Sequence, residues 1–297
     1  MNTEVEISIG TIIADQWTVS ARIGAGSFGT VYRCCNGVQM AALKTEPVGA
    51  SRPCLKTEAW VLRKVFSSGV AGARFFCRLL SQGEQPTYRY ILMSYGGEPL
   101  KTLRNRCGGR LSPETSLNLA IQLLQSIRAL HNIDILHGDI KEDNVCVHQK
   151  QLYLIDLGLA CSYTFNGKHR SQKKREAESL EADPASENFE LYYSRKFELR
   201  VWDYVFRGLL FGSAEINGPE EISRIRVYIE ALQFTEQPDY ELIEEFVRTY
   251  ILNRNYDISV PYDWESGRRY IEEIVDQMEV PMLPAGALSY DDKVHSA

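Results

Sequence analysis

Two apolar runs near the middle of the chain constrain its fold more than any other feature. Residues 145–147 (Val-Cys-Val) and 152–155 (Leu-Tyr-Leu-Ile) are rich in strand-forming side chains, and only residues 148–151 separate them. So short a connection makes them an antiparallel hairpin. A hairpin brings its open ends together, and here those ends carry Asn144 and Asp156. An amide oxygen beside a carboxylate suits one hard divalent cation. The stretch leading into the first strand is His137-Gly138-Asp139-Ile140-Lys141-Glu142-Asp143-Asn144. Within it Asp139 can accept a proton from a hydroxyl, and Lys141 can neutralise negative charge.

A second constellation lies near the N-terminus, at Gly24-Ala25-Gly26-Ser27-Phe28-Gly29-Thr30-Val31. Glycines let a backbone turn tightly and approach phosphates without side-chain clash. Alone, the spacing also fits a plain glycine hairpin or a dinucleotide-binding turn. The latter requires a helix next, whereas Thr30-Val31-Tyr32-Arg33 reads as a strand. Lys44 ends the following strand-like run, Ala41-Ala42-Leu43-Lys44. A lysine there is ordinarily a solvated edge residue, but Glu58 changes the weighing. Within residues 53–66 it shares a helical stripe with Leu55, Leu62 and Val65. A carboxylate on a buried face is costly unless a cation meets it. Lys44 is the expected partner, at a contact distance of about 4 Å or less.

The rest of the chain supplies a frame. Residues 17–46 alternate as short strands do, and residues 88–94 form another strand that ends at a hinge, Gly96-Gly97. Ser112 and Pro113 open a helix with Leu117, Ile121, Leu124 and Ile127 on its apolar face. Residues 199–210 are apolar nearly all round, as a buried central helix is; residues 220–233 and 239–252 read as amphipathic helices. Residues 165–190 are charged enough to form a flexible loop, and the tail beyond Pro281 has the composition of a disordered end. The expected division is one domain over residues 12–275, with a strand-rich lobe at 12–95, a helical lobe at 96–275 and a flexible tail at 276–297.

Composition excludes several classes. Apolar residues make up 44% and charged residues 24%, the balance of a globular protein with a real core. A net charge of −6 gives no basic footprint, so neither nucleic acid nor a membrane is an expected partner. The start, MNTEVEISIG, lacks the basic and apolar regions of a secretory leader, and no stretch has the apolar length of a membrane span. The seven cysteines are scattered, with no pair of Cys-x-x-Cys sites, and are expected as reduced thiols of a cytoplasmic or nuclear protein.

The ordered set of glycine loop, Lys44, Glu58, Asp139, Lys141, Asn144 and Asp156-Leu157-Gly158 resembles a eukaryotic protein kinase domain. Finer features resemble the casein kinase I family, nearest its worm-expanded and tau-tubulin kinase branches. They are Lys44-Thr45-Glu46, the run from Leu92 to Leu100 (LMSYGGEPL), the run from Ala231 to Tyr240 (ALQFTEQPDY), Phe246, and Tyr262-Asp263-Trp264-Glu265. The resemblance implies a two-lobed α+β fold acting as a monomer. It implies ATP bound by Ile23, Gly24, Gly26, Gly29, Val31, Lys44, Glu58 and Met93, with Met93 as gatekeeper, and Mg2+ held by Asn144 and Asp156. Asp139 and Lys141 would be catalytic in passing the γ-phosphoryl group to serine or threonine hydroxyls of protein substrates. The basic run Lys168-His169-Arg170-Ser171-Gln172-Lys173-Lys174-Arg175 is either a solvated loop or an attractor of acidic or phosphorylated substrates.

Four departures from the family pattern stand out. Gly138 replaces an arginine, leaving no obvious partner for a phosphorylated activation loop. The family's Gly-Thr-x-Arg-Tyr-x-Ser stretch is not recognisable between residues 165 and 193. Glu198 and Arg200 replace expected acidic residues, and a helical segment is missing between Gly212 and Pro219. The alternative reading they motivate is a pseudokinase, a nucleotide-binding interaction scaffold without turnover.

Overall fold

A computed structural model describes residues 5–26, 29–50, 53–171, 193–214 and 218–265. The strand-rich half is one antiparallel sheet of β1 (Ile12–Ile13), β2 (Trp17–Gly26), β3 (Gly29–Cys35), β4 (Met40–Pro47), β5 (Leu79–Glu84) and β6 (Tyr88–Ser94), in the order β1-β2-β3-β4-β6-β5. Its two faces follow from the period of two. Tyr32 and Cys34 of β3 and Ala41 and Leu43 of β4 join Trp17 and Val19 in a small core. Val31, Ala42 and Lys44, on the opposite face, are left for the cleft. Lys44 lies directly opposite Val31 in the β3–β4 register.

Helix α1 (Leu55–Ser67) packs against this sheet and buries Leu55, Glu58, Ala59, Leu62 and Val65. Its first turn has no side-chain cap of its own. Glu46 of β4 takes that part, accepting the N–H groups of Cys54 and Leu55 at 2.8 and 3.0 Å. After the hinge come β7 (Glu98–Pro99) and α2 (Leu100–Arg106).

The helical half is built on α3 (Pro113–His131). The Ser112 hydroxyl accepts the N–H of Thr115, and Pro113 fills the first helical position. Short strand β8 (Ile135–Leu136) leads to the hairpin of β9 (Val145–His148) and β10 (Gln151–Leu154), with β7 pairing on the outer edge of β9. Helices α4 (Arg195–Phe211), α5 (Glu220–Ala231) and α6 (Tyr240–Asn253) close around α3, and the Trp202 indole N–H donates to the Ala120 carbonyl at 3.0 Å.

The turn of the β9–β10 hairpin is gripped from outside. Gln149 and Lys150 both take positive φ, +47° and +60°. The Lys150 ammonium donates to the carbonyls of Ser259 and Val260. Gln122 of α3 donates to the Lys150 carbonyl and accepts the Leu152 N–H. The Tyr262 hydroxyl bonds to Asn118 and to that same carbonyl. The end of the described chain is thereby fastened both to α3 and to the hairpin.

Three expectations need correction or restriction. Helix α4 is not apolar all round: it buries Asp203 and Arg207 within its core face, and Tyr204 is largely exposed. Arg207 donates to both oxygens of Asp203 and to the Ile222 carbonyl, and Arg226 donates to Asp203 as well. These bonds staple α4 to α5 across the short connection after Gly212. The stretch read as a loop from residue 165 opens instead with a hairpin of β12 (Thr164–Phe165) and β13 (Lys168–His169); β11 (Cys161–Ser162), just before it, pairs with β8. Residues 172–190, including the remainder of the basic run, and the tail from 276 lie outside the described residues. Among the described residues no helix is long and apolar enough to cross a membrane.

Candidate active site

Between the sheet and the helical half opens a cleft of about 920 Å³. Of the residues singled out from the sequence, Ile23, Gly24, Gly29, Val31, Lys44, Glu58, Met93, Lys141, Asn144 and Asp156 line it. Gly26 pairs with Gly29 at the tip of the β2–β3 turn, outside these walls, and Asp139 sits just behind Lys141 and Asn144. Gly29 has a structural necessity of its own. With φ at +137°, any Cβ there would lie 1.7 Å from the Thr45 carbonyl oxygen.

Lys44 holds the upper part of the site together. Its ammonium lies 2.7 Å from Glu58 on α1 and 2.6 Å from Asp156 beyond β10. The expected pair with Glu58 is present, and a third member joins it. Burial alone would push the Lys44 ammonium down, but the two carboxylates more than offset this and hold it above the usual lysine range. Burial likewise works to raise the Asp156 carboxyl, and Lys44 overcomes it, leaving Asp156 below the usual carboxylate range. Both groups are therefore charged at neutral pH. Asp156 takes the left-handed backbone conformation, φ +62°, which turns the chain sharply at the hairpin's open end.

The lower part is a compact polar knot. The Asp139 carboxylate accepts from Lys141 at 2.6 Å and from the Asn144 amide at 2.9 Å. Asn144 also donates to the Asp139 carbonyl, and its own carbonyl accepts the Ile155 N–H at 2.9 Å. That last bond fixes Asn144 beside the residue preceding Asp156, as the hairpin requires. Buried His137 donates to the Ile155 carbonyl and accepts the Asp139 N–H. On the outer side, Arg104 and Lys101 of α2 form ion pairs with Glu142 and Asp143.

Sequence reasoning missed the anchor beneath this loop. Glu198 of α4, noted only as a replacement, is buried and accepts the Gly138 N–H at 2.7 Å through one oxygen. Its other oxygen meets His131 at 2.8 Å, and His131 in turn bonds to the Tyr240 hydroxyl. The sequence signal was a carboxylate on the buried face of a helix, the same signal that exposed Glu58. Gly138 also has its reason here. With φ at +83°, a Cβ would lie 2.6 Å from the Leu159 carbonyl oxygen, so an arginine has no room. The apolar walls Ala42, Cys77, Cys146 and Ile155 were likewise not singled out; nothing in their spacing marks them.

A strand-rich lobe and a helical lobe enclosing such a cleft define the protein kinase fold, mixed α+β. The chain belongs to the protein kinase domain family, whose sequence model matches residues 17–178. It is 24% identical over 295 residues to a probable serine/threonine-protein kinase of Dictyostelium discoideum, an alignment covering 88% of this chain and 59% of the relative. The chain thus spans about three-fifths of the length of that relative. Its structure is similar to that of vaccinia related kinase 3, with a TM-score of 0.69 at 17% identity, over 86% of this chain and 94% of the other. At that identity the likeness speaks for the fold.

Proposed function

We propose that the chain is an ATP-dependent serine/threonine protein kinase of casein kinase I-like type, with its domain over residues 12–275. The observation that carries the reading is Lys44 held at once by Glu58 and Asp156. A buried lysine fixed between a helix carboxylate and a metal-binding carboxylate is positioned to clamp phosphates, and positioning with charge stabilisation is most of what phosphoryl transfer requires. The glycine turn and Ile23, Val31 and Met93 would enclose the nucleotide. Asn144 and Asp156 fit a hard cation by donor type, and Mg2+ held there would offset charge on the phosphates. Asp139 would take the proton of the attacking hydroxyl, and Lys141 would stabilise charge on the transferred group. Serine/threonine choice is supported by the name of the Dictyostelium relative and by Lys141. Acidic or phosphorylated protein substrates are supported by exposed Lys168 on the β12–β13 hairpin. The free state of all seven cysteines supports a reducing compartment.

The test is transfer of labelled γ-phosphate to casein, with Asp139→Asn alongside. Transfer should appear on serine and threonine and fall by about 10²- to 10⁴-fold in the variant, with nucleotide affinity kept. Folded protein that binds Mg-ATP yet labels nothing above the variant's background would return the pseudokinase reading.

A further inference from the structure

Helix α2 braces the loop that carries Lys141 and Asn144, and one of its contacts is unlike the rest. The helix is short but fixed, with Leu100 and Leu103 buried in the main core. One position on from each stand Lys101 and Arg104, an i,i+3 pair on one side of the helix. Lys101 meets Asp143 at 3.0 Å, and Arg104 meets Glu142 at 2.7 Å. Glu142 and Asp143 are the two residues between Lys141 and Asn144.

The two pairs differ in strength. The side chains of Lys101 and Asp143 are 52% and 53% exposed, and a pair so wet contributes little. Those of Arg104 and Glu142 are 27% and 18% exposed. Their meeting atoms, Nε and Oε1, are shut off from water and have no hydrogen-bond partner elsewhere among the described residues. Burial pushes the Glu142 carboxyl up, and Arg104 works against that push. Without Arg104 the carboxylate would stand desolvated and alone, which costs more than the pair itself contributes. The readiest relief is movement of the loop toward water.

The turn has little of its own to resist with. Glu142–Asn144 is a single 3-10 turn with no side-chain cap. Its Asn144 N–H donates to the Lys141 carbonyl, and the Val145 N–H to the Glu142 carbonyl. The chain on either side of α2 and the turn is better secured. Strand β7 pairs with β9, Glu98 opposite Val147 and Pro99 opposite Cys146, and Arg106 at the far end of α2 returns to Glu98 at 2.6 Å. Strand β7, α2, the turn and β9 thus form a ring of contacts, and the pair of Arg104 with Glu142 closes it.

We propose that Arg104 and Glu142 are positioning residues for the cation site: their ion pair holds the turn that sets Asn144 toward the metal and Lys141 toward the transferred group. Metal affinity is thereby tied to helix α2. The proposal rests on the reading of Asn144 and Asp156 as the cation's ligands.

The test measures nucleotide affinity of the full chain by calorimetry, with a non-hydrolysable ATP analogue in Mg2+ or in chelator. The ratio of the two affinities reports what the metal contributes. Arg104→Gln should cut that ratio about three- to tenfold and leave affinity in chelator unchanged. Arg104→Lys, which keeps the charge, should stay within about twofold of the native chain, as should Lys101→Gln. Melting temperatures check folding; should Arg104→Gln fail to fold, Glu142→Gln carries the same expectation. An unchanged ratio in Arg104→Gln overturns the proposal. So does an equal loss in chelator, which would make the pair merely structural, or an Arg104→Lys chain as weak as Arg104→Gln, which would put the effect in packing. If Asn144→Ala leaves the ratio untouched, the ligand reading itself fails, and this proposal with it.

Discussion

At Lys44 three charges meet in a partly buried space, and their titration sets a measurable window. The Asp156 carboxyl sits lower in the folded chain than in the unfolded one, so its contribution is present above the unfolded value and lost as pH falls through the folded one. The Lys44 ammonium sits higher, so its contribution is full below its unfolded value and lost as pH rises beyond. The two windows overlap from about pH 4 to about pH 10. Urea titrations should therefore show the stability difference between the native chain and Asp156→Asn at its largest near neutrality and shrinking below about pH 4. Asp156→Ala should also weaken magnesium-dependent nucleotide binding, measured calorimetrically with and without the metal. Gly138 makes a steric prediction. Gly138→Ala forces a Cβ against the Leu159 carbonyl at positive φ and should cost about 1–3 kcal/mol, read as a lowered urea midpoint. An arginine there should fare no better, whatever its value in related chains.

Elements differ in how much of them was legible, and the difference is one of sequence distance. The two faces of β3 and β4, the cap at Ser112 and the stripe on α1 all depend on near neighbours, so alternation and periodicity revealed them. Glu58 was legible for the same reason: its stripe is local, and a carboxylate on a buried face calls for a cation, for which Lys44 was the expected partner. The bond from Glu198 to Gly138 spans 60 residues; the helix stripe marks Glu198 as buried but does not name its partner. Asp203 and Arg207 were a local i,i+4 pair, yet the aromatic and aliphatic residues around them suggested an apolar helix. Their burial is only intelligible once α5 is seen to bring Arg226 and the Ile222 carbonyl. Asp203→Ala should remove the buried carboxylate that accepts from both Arg207 and Arg226 and cost about 3–5 kcal/mol. A calorimetric melt of that variant showing only a small shift would contradict this account of α4. The β12–β13 turn carried a signal that was passed over: Asn166-Gly167, both at positive φ, is a strong two-residue hairpin sequence.

For the molecule as a whole, the glycine at 138 bears on regulation. A loop phosphate needs a cationic partner beside the catalytic loop, and this position supplies none. Phosphatase treatment should leave the proposed activity roughly unchanged, measured by labelled transfer before and after; a large loss would show a phosphate receptor elsewhere. The grip of residues 259–262 on the β9–β10 turn has a different consequence. Helix α6 looks like a natural finish to the fold, since among the described residues the last long helix ends at Asn253. Yet the ten or so residues after it act as a splint on the strand pair that presents Asn144 and Asp156. A chain cut after Asn255 would keep every residue proposed to meet nucleotide or metal while losing the brace on their hairpin. Its metal affinity, more than its helix content, should record the loss. A chain ending at Glu265 should keep that affinity, so a change at the molecule's rear edge is expected to be felt in a cleft it never touches.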